Sequence, residues 1–294
     1  MMSPILILGR NGQLARALAA AAGDTRSVSL GRADIDLWDE TAVAERIEEL
    51  RPSVIVNTAA YTAVDAAEGN AEAAFALNAR APGVVAHAAA RHDAPLIHIS
   101  TDYVFSGDPG RPWREDDPIE PRSVYGRSKA QGEEAVLAAG GRVAVVRTSW
   151  LYGATGGNFL ATMLRLGESR DVLSVVDDQT GAPTYVADLA QALLTMAPQA
   201  PQGIYHLAHA GMTTWFGFAS AIFEEARARG WPVKARLETT TTERYGAPAP
   251  RPAWSVLDCG KARRDFSIAL PDWKTGLSRC MAALAERQGE ITST

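Results

Sequence analysis

Four apolar residues, Ile5 to Leu8, run directly into Gly9-Arg10-Asn11-Gly12 and then into an Ala- and Leu-rich stretch ending at Ala22. A short buried strand, a glycine turn and a helix in that order commit the chain to a crossover unit, because a second strand must then return parallel to the first. The unit recurs. Strand-like runs at Ser27 to Leu30, Val54 to Thr58, Leu96 to Ser100 and Val143 to Thr148 alternate with helical stretches at Thr41 to Leu50, Ala71 to Arg91 and Val124 to Ala139. This rhythm predicts an α/β fold: a doubly wound, Rossmann-like parallel sheet covered on both faces.

After Trp150 the rhythm loosens. Helix 158–167, strand 172–176, helix 186–196 and strand 204–206 alternate with Gly- and Pro-rich turns, and some of these are expected to rejoin the sheet. From Thr213 onward an amphipathic helix over 215–229, a Pro-rich link at 247–252 and a last helix over 273–287 read as a smaller lobe beside the sheet's carboxyl edge. At 294 residues and 47% apolar content, the chain is long enough for a large α/β core with such an appendage. A net charge of -5 supplies no basic field for nucleic acid. No apolar run reaches the eighteen or so residues that a membrane span needs, and Cys259 and Cys280 form neither a disulfide framework nor a metal cluster, so a reducing cytoplasm is expected.

Two motifs carry chemistry. Gly9, Gly12 and Ala15 follow the first strand at the spacing where small residues allow a tight turn and close backbone approach to a pyrophosphate seated at the helix N-terminus. The second strand ends in Gly31 and Arg32 with no carboxylate at that point, and with Arg10 nearby this favours NADPH over NADH. Asp36 and Leu37 stand where an adenine would lie. Tyr125 and Lys129, four apart on one helix, share a face, so the lysine charge is expected beside the phenol, favouring its ionised form and making it a usable proton donor. Thr101, Asp102 and Trp150 fall at the carboxyl ends of the fourth and fifth strands, where doubly wound sheets bind ligands.

These residues resemble the extended short-chain dehydrogenase/reductase superfamily. Within it, Asn57-Thr-Ala-Ala-Tyr-Thr-Ala-Val-Asp65, Ser100-Thr-Asp-Tyr-Val-Phe105, Arg147-Thr-Ser-Trp-Leu-Tyr152, Asp178-Gln-Thr-Gly-Ala-Pro-Thr184 and Arg251-Pro-Ala-Trp-Ser-Val-Leu-Asp258 are similar to the dTDP-4-dehydrorhamnose reductase family. The resemblance implies NAD(P)H-dependent reduction of the 4-keto group of dTDP-4-dehydro-β-L-rhamnose. It implies a catalytic set of Thr101, Tyr125 and Lys129, and a cofactor set of Gly9, Gly12, Gln13, Leu14, Arg32, Asp36, Leu37, Ala60, Tyr61, Thr62, Tyr125 and Lys129. Substrate would be held by Thr101, Asp102, Trp150 and Arg251. It further implies a dinucleotide-binding domain at 1–149 plus about 172–206, a sugar-nucleotide lobe at about 150–171 and 207–294, and a monomer or weak homodimer.

Two departures bear on this. Some members are dimers bridged by Mg²⁺ through glutamates, but those places hold Ala17 and Ala187, so no metal is expected. Trp254 stands where a small polar residue is expected. A nucleotide-sugar epimerase or dehydratase of the same superfamily, or a non-catalytic NADP-binding regulatory subunit, would share the glycine turn and the Tyr125/Lys129 pair.

Overall fold

The structure is a computed structural model describing residues 3–23, 26–108 and 110–292. In chain order it runs β1 (Ile5–Leu8), α1 (Gln13–Ala22), β2 (Ser27–Leu30), α2 (Glu40–Leu50), β3 (Val54–Asn57), α3 (Val64–Gly69) and α4 (Ala71–Phe75). A π turn at Ala76–Arg80 joins α4 to α5 (Ala81–Arg91), followed by β4 (Leu96–Thr101), α6 (Val124–Ala138), β5 (Val143–Thr148) and β6 (Leu151–Tyr152). Then come α7 (Phe159–Ser169), β7 (Val172–Val176), β8 (Thr180–Gly181), β9 (Thr184–Tyr185), α8 (Val186–Met196), β10 (Gly203–His206) and β11 (Thr213–Thr214). The chain closes with α9 (Trp215–Ala228), β12 (Arg236–Thr240), α10 (Thr242–Tyr245), α11 (Gly260–Phe266) and α12 (Trp273–Thr292).

The central sheet has the order β10-β5-β4-β3-β1-β2, and every neighbouring pair in it is parallel. Strand alternation sends side chains to two separate cores. Ile7, Val56, Ile97, Ile99, Ala144 and Val146 pack with Leu14 and Leu18 of α1 and Leu189 and Leu193 of α8. Their neighbours Leu6, Leu8, Ile55, Leu96, Val143 and Val145 pack with Val43 and Ile47 of α2, Val85 and Ala89 of α5 and Val136 of α6. Burial on both faces is why these strands read as continuous apolar runs. The order reverses between β1 and β3, which opens a crevice at their carboxyl ends.

Of the later strands only β10 rejoins this sheet. β7, expected with the dinucleotide-binding part, instead pairs parallel with β12, from Arg236↔Val172 to Thr240↔Val176. The cause is reach: β7 follows α7, which packs against α9 of the second half, and α9 leads directly to β12. Among the described residues no helix is long and apolar enough to cross a membrane.

Candidate active site

The glycine turn is held by close approach. Gly9 has φ +99°, and a Cβ there would lie 2.8 Å from both the Ala59 nitrogen and the Thr58 hydroxyl, so the turn sits flush on the end of β3. Its carbonyl accepts the Gly12 amide at 2.8 Å. Helix α1 then begins with no side-chain cap and no carboxylate in its first turn, leaving its amides and dipole facing the crevice. Gly9, Gly12, Gln13 and Leu14 line one end of a 1160 Å³ cavity that continues past Thr101, Tyr125 and Trp150 to Arg251. That exceeds the usual span of a single small-ligand pocket, roughly 300–1,000 Å³. The bare helix end and the flush turn fit a dinucleotide.

Beyond β2 the structure corrects the sequence reading. A carboxylate is present: Asp34 accepts the Gly31 amide at 2.7 Å and pairs with Arg10 at 2.9 Å. The Gly31 amide foremost, with Arg10 assisting, holds its carboxyl below the usual range. Arg10 is therefore engaged before any phosphate arrives, and only Arg32 stands free of a described partner, exposed on the cavity rim. Asp36, Leu37, Ala60 and Thr62 line the same end. Tyr61 does not. Its amide donates to Asn78 Oδ1 and its carbonyl accepts from Asn78 Nδ2, while its ring packs with Ala67, Ala74 and Val124.

The reacting groups meet where β4 ends and α6 begins. Ser123 caps α6 by accepting the Gly126 amide at 3.0 Å, which sets Tyr125 in the first turn. A Cβ on Gly126 would stand 2.3 Å from the Tyr103 carbonyl, so this glycine lets the helix end approach the strand end carrying Thr101. Dehydration of its surroundings pushes the Tyr125 phenol up to about 12; the nearby Thr101 hydroxyl opposes this and the Asp102 charge reinforces it. Lys129 makes no hydrogen bond with the phenol among the described residues. Its Nζ donates to the Ile99 carbonyl at 2.7 Å and lies 3.2 Å from His98 Nε2, and burial brings it down to about 8 against the pull of Glu133. The buried ammonium thus takes a backbone acceptor of β4 on the wall of the same cavity.

Asp102 is buried at 2% exposure, with Oδ1 accepting from Thr101 and Oδ2 unpartnered. Burial raises it to about 7, against the opposing pull of the nearby Ser255 and Thr101 hydroxyls. Trp150, at φ +47°, holds its ring stacked on Trp215 with centroids 3.6 Å apart and planes 5° off parallel. Gly181 lies beneath: a Cβ there would stand 2.5 Å from the Trp150 ring. Trp215 donates to Gln179 at 3.1 Å and meets Phe159 at 4.6 Å, and neither it, Phe159 nor Tyr103 was singled out from sequence as a cavity residue. Their signal is weak, since aromatics in amphipathic helices usually serve the core.

Arg251 reaches the cavity but is bidentate on Asp65, at 3.0 and 2.8 Å, so a phosphate there would share or displace that carboxylate. Trp254 lies apart, donating to the Arg111 carbonyl while its own carbonyl accepts from Trp113 beside Phe105. It is a clasp for the 111–113 loop. Ala17 and Ala187 are partly buried against the core, and no cluster of three or more His, Cys, Asp or Glu suited to a metal occurs among the described residues.

Residues 2–286 match the family model of the RmlD substrate binding domain. The chain is 40% identical to a dTDP-4-dehydrorhamnose reductase of Aggregatibacter actinomycetemcomitans, over 96% of this chain and 99% of that one. It is 43% identical to one of Burkholderia thailandensis, over 95% and 98%. The structure superposes on a Bacillus anthracis dTDP-4-dehydrorhamnose reductase in complex with NADP with TM-score 0.91, 36% identity and 96% and 100% coverage. A dTDP-glucose 4,6-dehydratase from Streptomyces venezuelae, at 19% identity and TM-score 0.79, shares the fold. With near-complete coverage and identities of about two residues in five, the chain belongs to the dTDP-4-dehydrorhamnose reductase family of the short-chain dehydrogenase/reductase superfamily.

Proposed function

We propose that this chain reduces the 4-keto group of dTDP-4-dehydro-β-L-rhamnose to the hydroxyl of dTDP-β-L-rhamnose, using NADPH or NADH. The observation that carries the proposal is the convergence of Thr101, Asp102, Tyr125, Lys129 and Trp150 on one cavity in a chain matching the family nearly end to end. Bound reduced nicotinamide supplies the hydride. The chain's own residues do the rest. Tyr125, held as a phenol by its dehydrated surroundings, gives its proton to the sugar oxygen as charge develops there. Thr101, on the same cavity as Tyr125, orients on the same oxygen. Lys129, lining the same cavity, would hold the nicotinamide ribose hydroxyls.

The Trp150–Trp215 stack presents a flat apolar wall to the deoxysugar and keeps water from its face. Asp102 holds a sugar hydroxyl, and Arg251 meets the substrate diphosphate by exchanging one of its two bonds to Asp65. The exposed amides of α1 and the rim cation Arg32 hold the phosphates of the dinucleotide. Each chain carries its own complete cavity, so a monomer or weak homodimer suffices.

The test follows 340 nm absorbance with purified protein, NADPH or NADH and enzymatically generated dTDP-4-dehydrorhamnose, identifying the product by mass and sugar analysis. Stoichiometric oxidation yielding dTDP-rhamnose is expected, and Tyr125→Phe should lower turnover by about 10²-fold or more with cofactor affinity nearly unchanged. Cofactor binding without oxidation, or a tightly held NAD that is regenerated each cycle, would refute the proposal.

A further inference from the structure

Helix α3, which the reduction mechanism does not use, touches both ends of the substrate half of the cavity. It has six residues, too few to persist on its own hydrogen bonds, so it is fixed from outside. Glu68 Oε1 accepts the Val124 amide at 2.7 Å, the first amide of α6, where the helix dipole favours a carboxylate. Ala67, wholly buried, packs in one cluster with Val124. The next residue is Tyr125, so α3 keeps a fixed place relative to the proton donor. Asp65, one turn before Glu68, holds a different partner. Its Oδ1 accepts the Ala249 amide at 3.1 Å, and its two oxygens take the Arg251 guanidinium at 3.0 and 2.8 Å. Both partners belong to the strap 247–252, Ala-Pro-Ala-Pro-Arg-Pro, which has neither helix nor strand structure. Its prolines carry no N–H, and each of its other residues precedes a proline and is biased to extended backbone. A side chain from elsewhere must therefore seat it, and Asp65 is that side chain.

We infer that Asp65 is a positioning residue: through α3 it sets the reach between Arg251, which takes the substrate diphosphate, and Tyr125, which protonates the sugar oxygen. A sugar anchored by its diphosphate then presents its 4-keto oxygen to the phenol. The inference rests on the proposed reduction and on Arg251 as the diphosphate ligand. Arg251 and Tyr125 line the same cavity, and the Arg251 side chain is only 20% exposed. Two bonds to one carboxylate let the guanidinium give up one for a phosphate oxygen while the other keeps it aimed, and the Ala249 bond keeps the strap seated meanwhile. Without the carboxylate, a long side chain on an unsupported strap would have to be ordered on binding. The Arg251 bonds also hold the Asp65 carboxyl below its usual range, so the pair is charged at neutral pH. Further along, Pro252 rests on Gly107, where a Cβ would stand 2.9 Å from the Pro252 Cα, so the strap is seated at two points.

The test separates binding from turnover. In calorimetric titration with dTDP, which needs no reduction, Asp65→Asn should bind about tenfold more weakly, because the isosteric amide offers one acceptor in place of two and no charge. NADPH should bind this variant with the parental Kd, which also reports that it is folded. Asp65→Glu keeps the charge and displaces it by one methylene. Its dTDP affinity should stay within about threefold of the parent, while kcat with dTDP-4-dehydrorhamnose falls by about tenfold or more. Unchanged or tighter dTDP binding by Asp65→Asn would overturn the inference, since Asp65 would then only compete with the phosphate. Parental kcat in Asp65→Glu would overturn it as well. Arg251→Ala tells the two levels apart. Unchanged dTDP affinity there removes Arg251 from the diphosphate, and the inference falls with that reading; weaker binding there beside parental binding in Asp65→Asn overturns the role of Asp65 alone.

Discussion

Single residues decide what this cavity accepts and at what pH. Asp34 occupies the cation that a 2′-phosphate would want, so Asp34→Asn should release Arg10 and raise the NADPH over NADH ratio of kcat/KM by about tenfold. An unchanged ratio would assign discrimination to Arg32 alone. Asp102 affects stability as well as the site. Its folded pKa of about 7 lies above the ordinary carboxylate value near 3.9, so between those limits the folded chain keeps a proton that the unfolded chain releases. Stability therefore falls as pH rises from about 4 to 7. The D102N variant should be more stable than the parent at pH 8 by up to about 4 kcal/mol, with the gap closing near pH 4, as denaturant melts at the two pH values would reveal. At this scale the sequence was legible where a motif has a fixed place on a strand end or helix start, as with Thr101 and Tyr125. It was silent on direction: nothing in Tyr125-x-x-x-Lys129 says that the lysine turns to the Ile99 carbonyl. The signal for His98 was present, a histidine amid Leu96-Ile97-His98-Ile99 in a doubly buried strand, where a polar ring must have partners.

At the scale of elements, the first five strands and the helices between them follow the residue pattern closely, since burial on both sheet faces leaves an unmistakable apolar run. The stretch 71–91 departs from it. It forms two helices joined by a π turn, and that turn carries Asn78, whose amide grips both backbone groups of Tyr61 and the Ser128 hydroxyl. Helix α6 is drawn in so far that a Cβ at Gly132 would lie 2.0 Å from the Asn78 carbonyl. Gly132→Ala should consequently destabilise the fold by about 3 kcal/mol in equilibrium unfolding, whereas the same change at Gly69, with open space around it, should have little effect. The small sheets were beyond sequence reading. Strands of two residues, such as β6 and β9, have no period to detect, and the β7–β12 pair joins segments some sixty positions apart.

Across the whole molecule, one apolar core ties the sheet to the C-terminal helices. Ile7 and Val56 of the sheet belong to the same buried cluster as Phe218 and Phe223 of α9 and Leu277 and Met281 of α12. Two isolated bridges, Trp113↔Leu257 and Thr180↔Trp254, stitch the segment after Arg251 to loops on either side. The two lobes should accordingly unfold together, giving a single calorimetric transition that NADPH at 100 times its Kd stabilises by about 2.7 kcal/mol. Two resolved transitions would show that the shared core does not couple them. The stacked indoles of Trp150 and Trp215 give the molecule an optical property as well. Two such chromophores a few ångströms apart and nearly parallel couple their electronic transitions, and their emission falls where reduced nicotinamide absorbs. The cavity wall is thereby a native fluorescence gauge, quenched by energy transfer when the dinucleotide enters and restored when it leaves, with no dye attached.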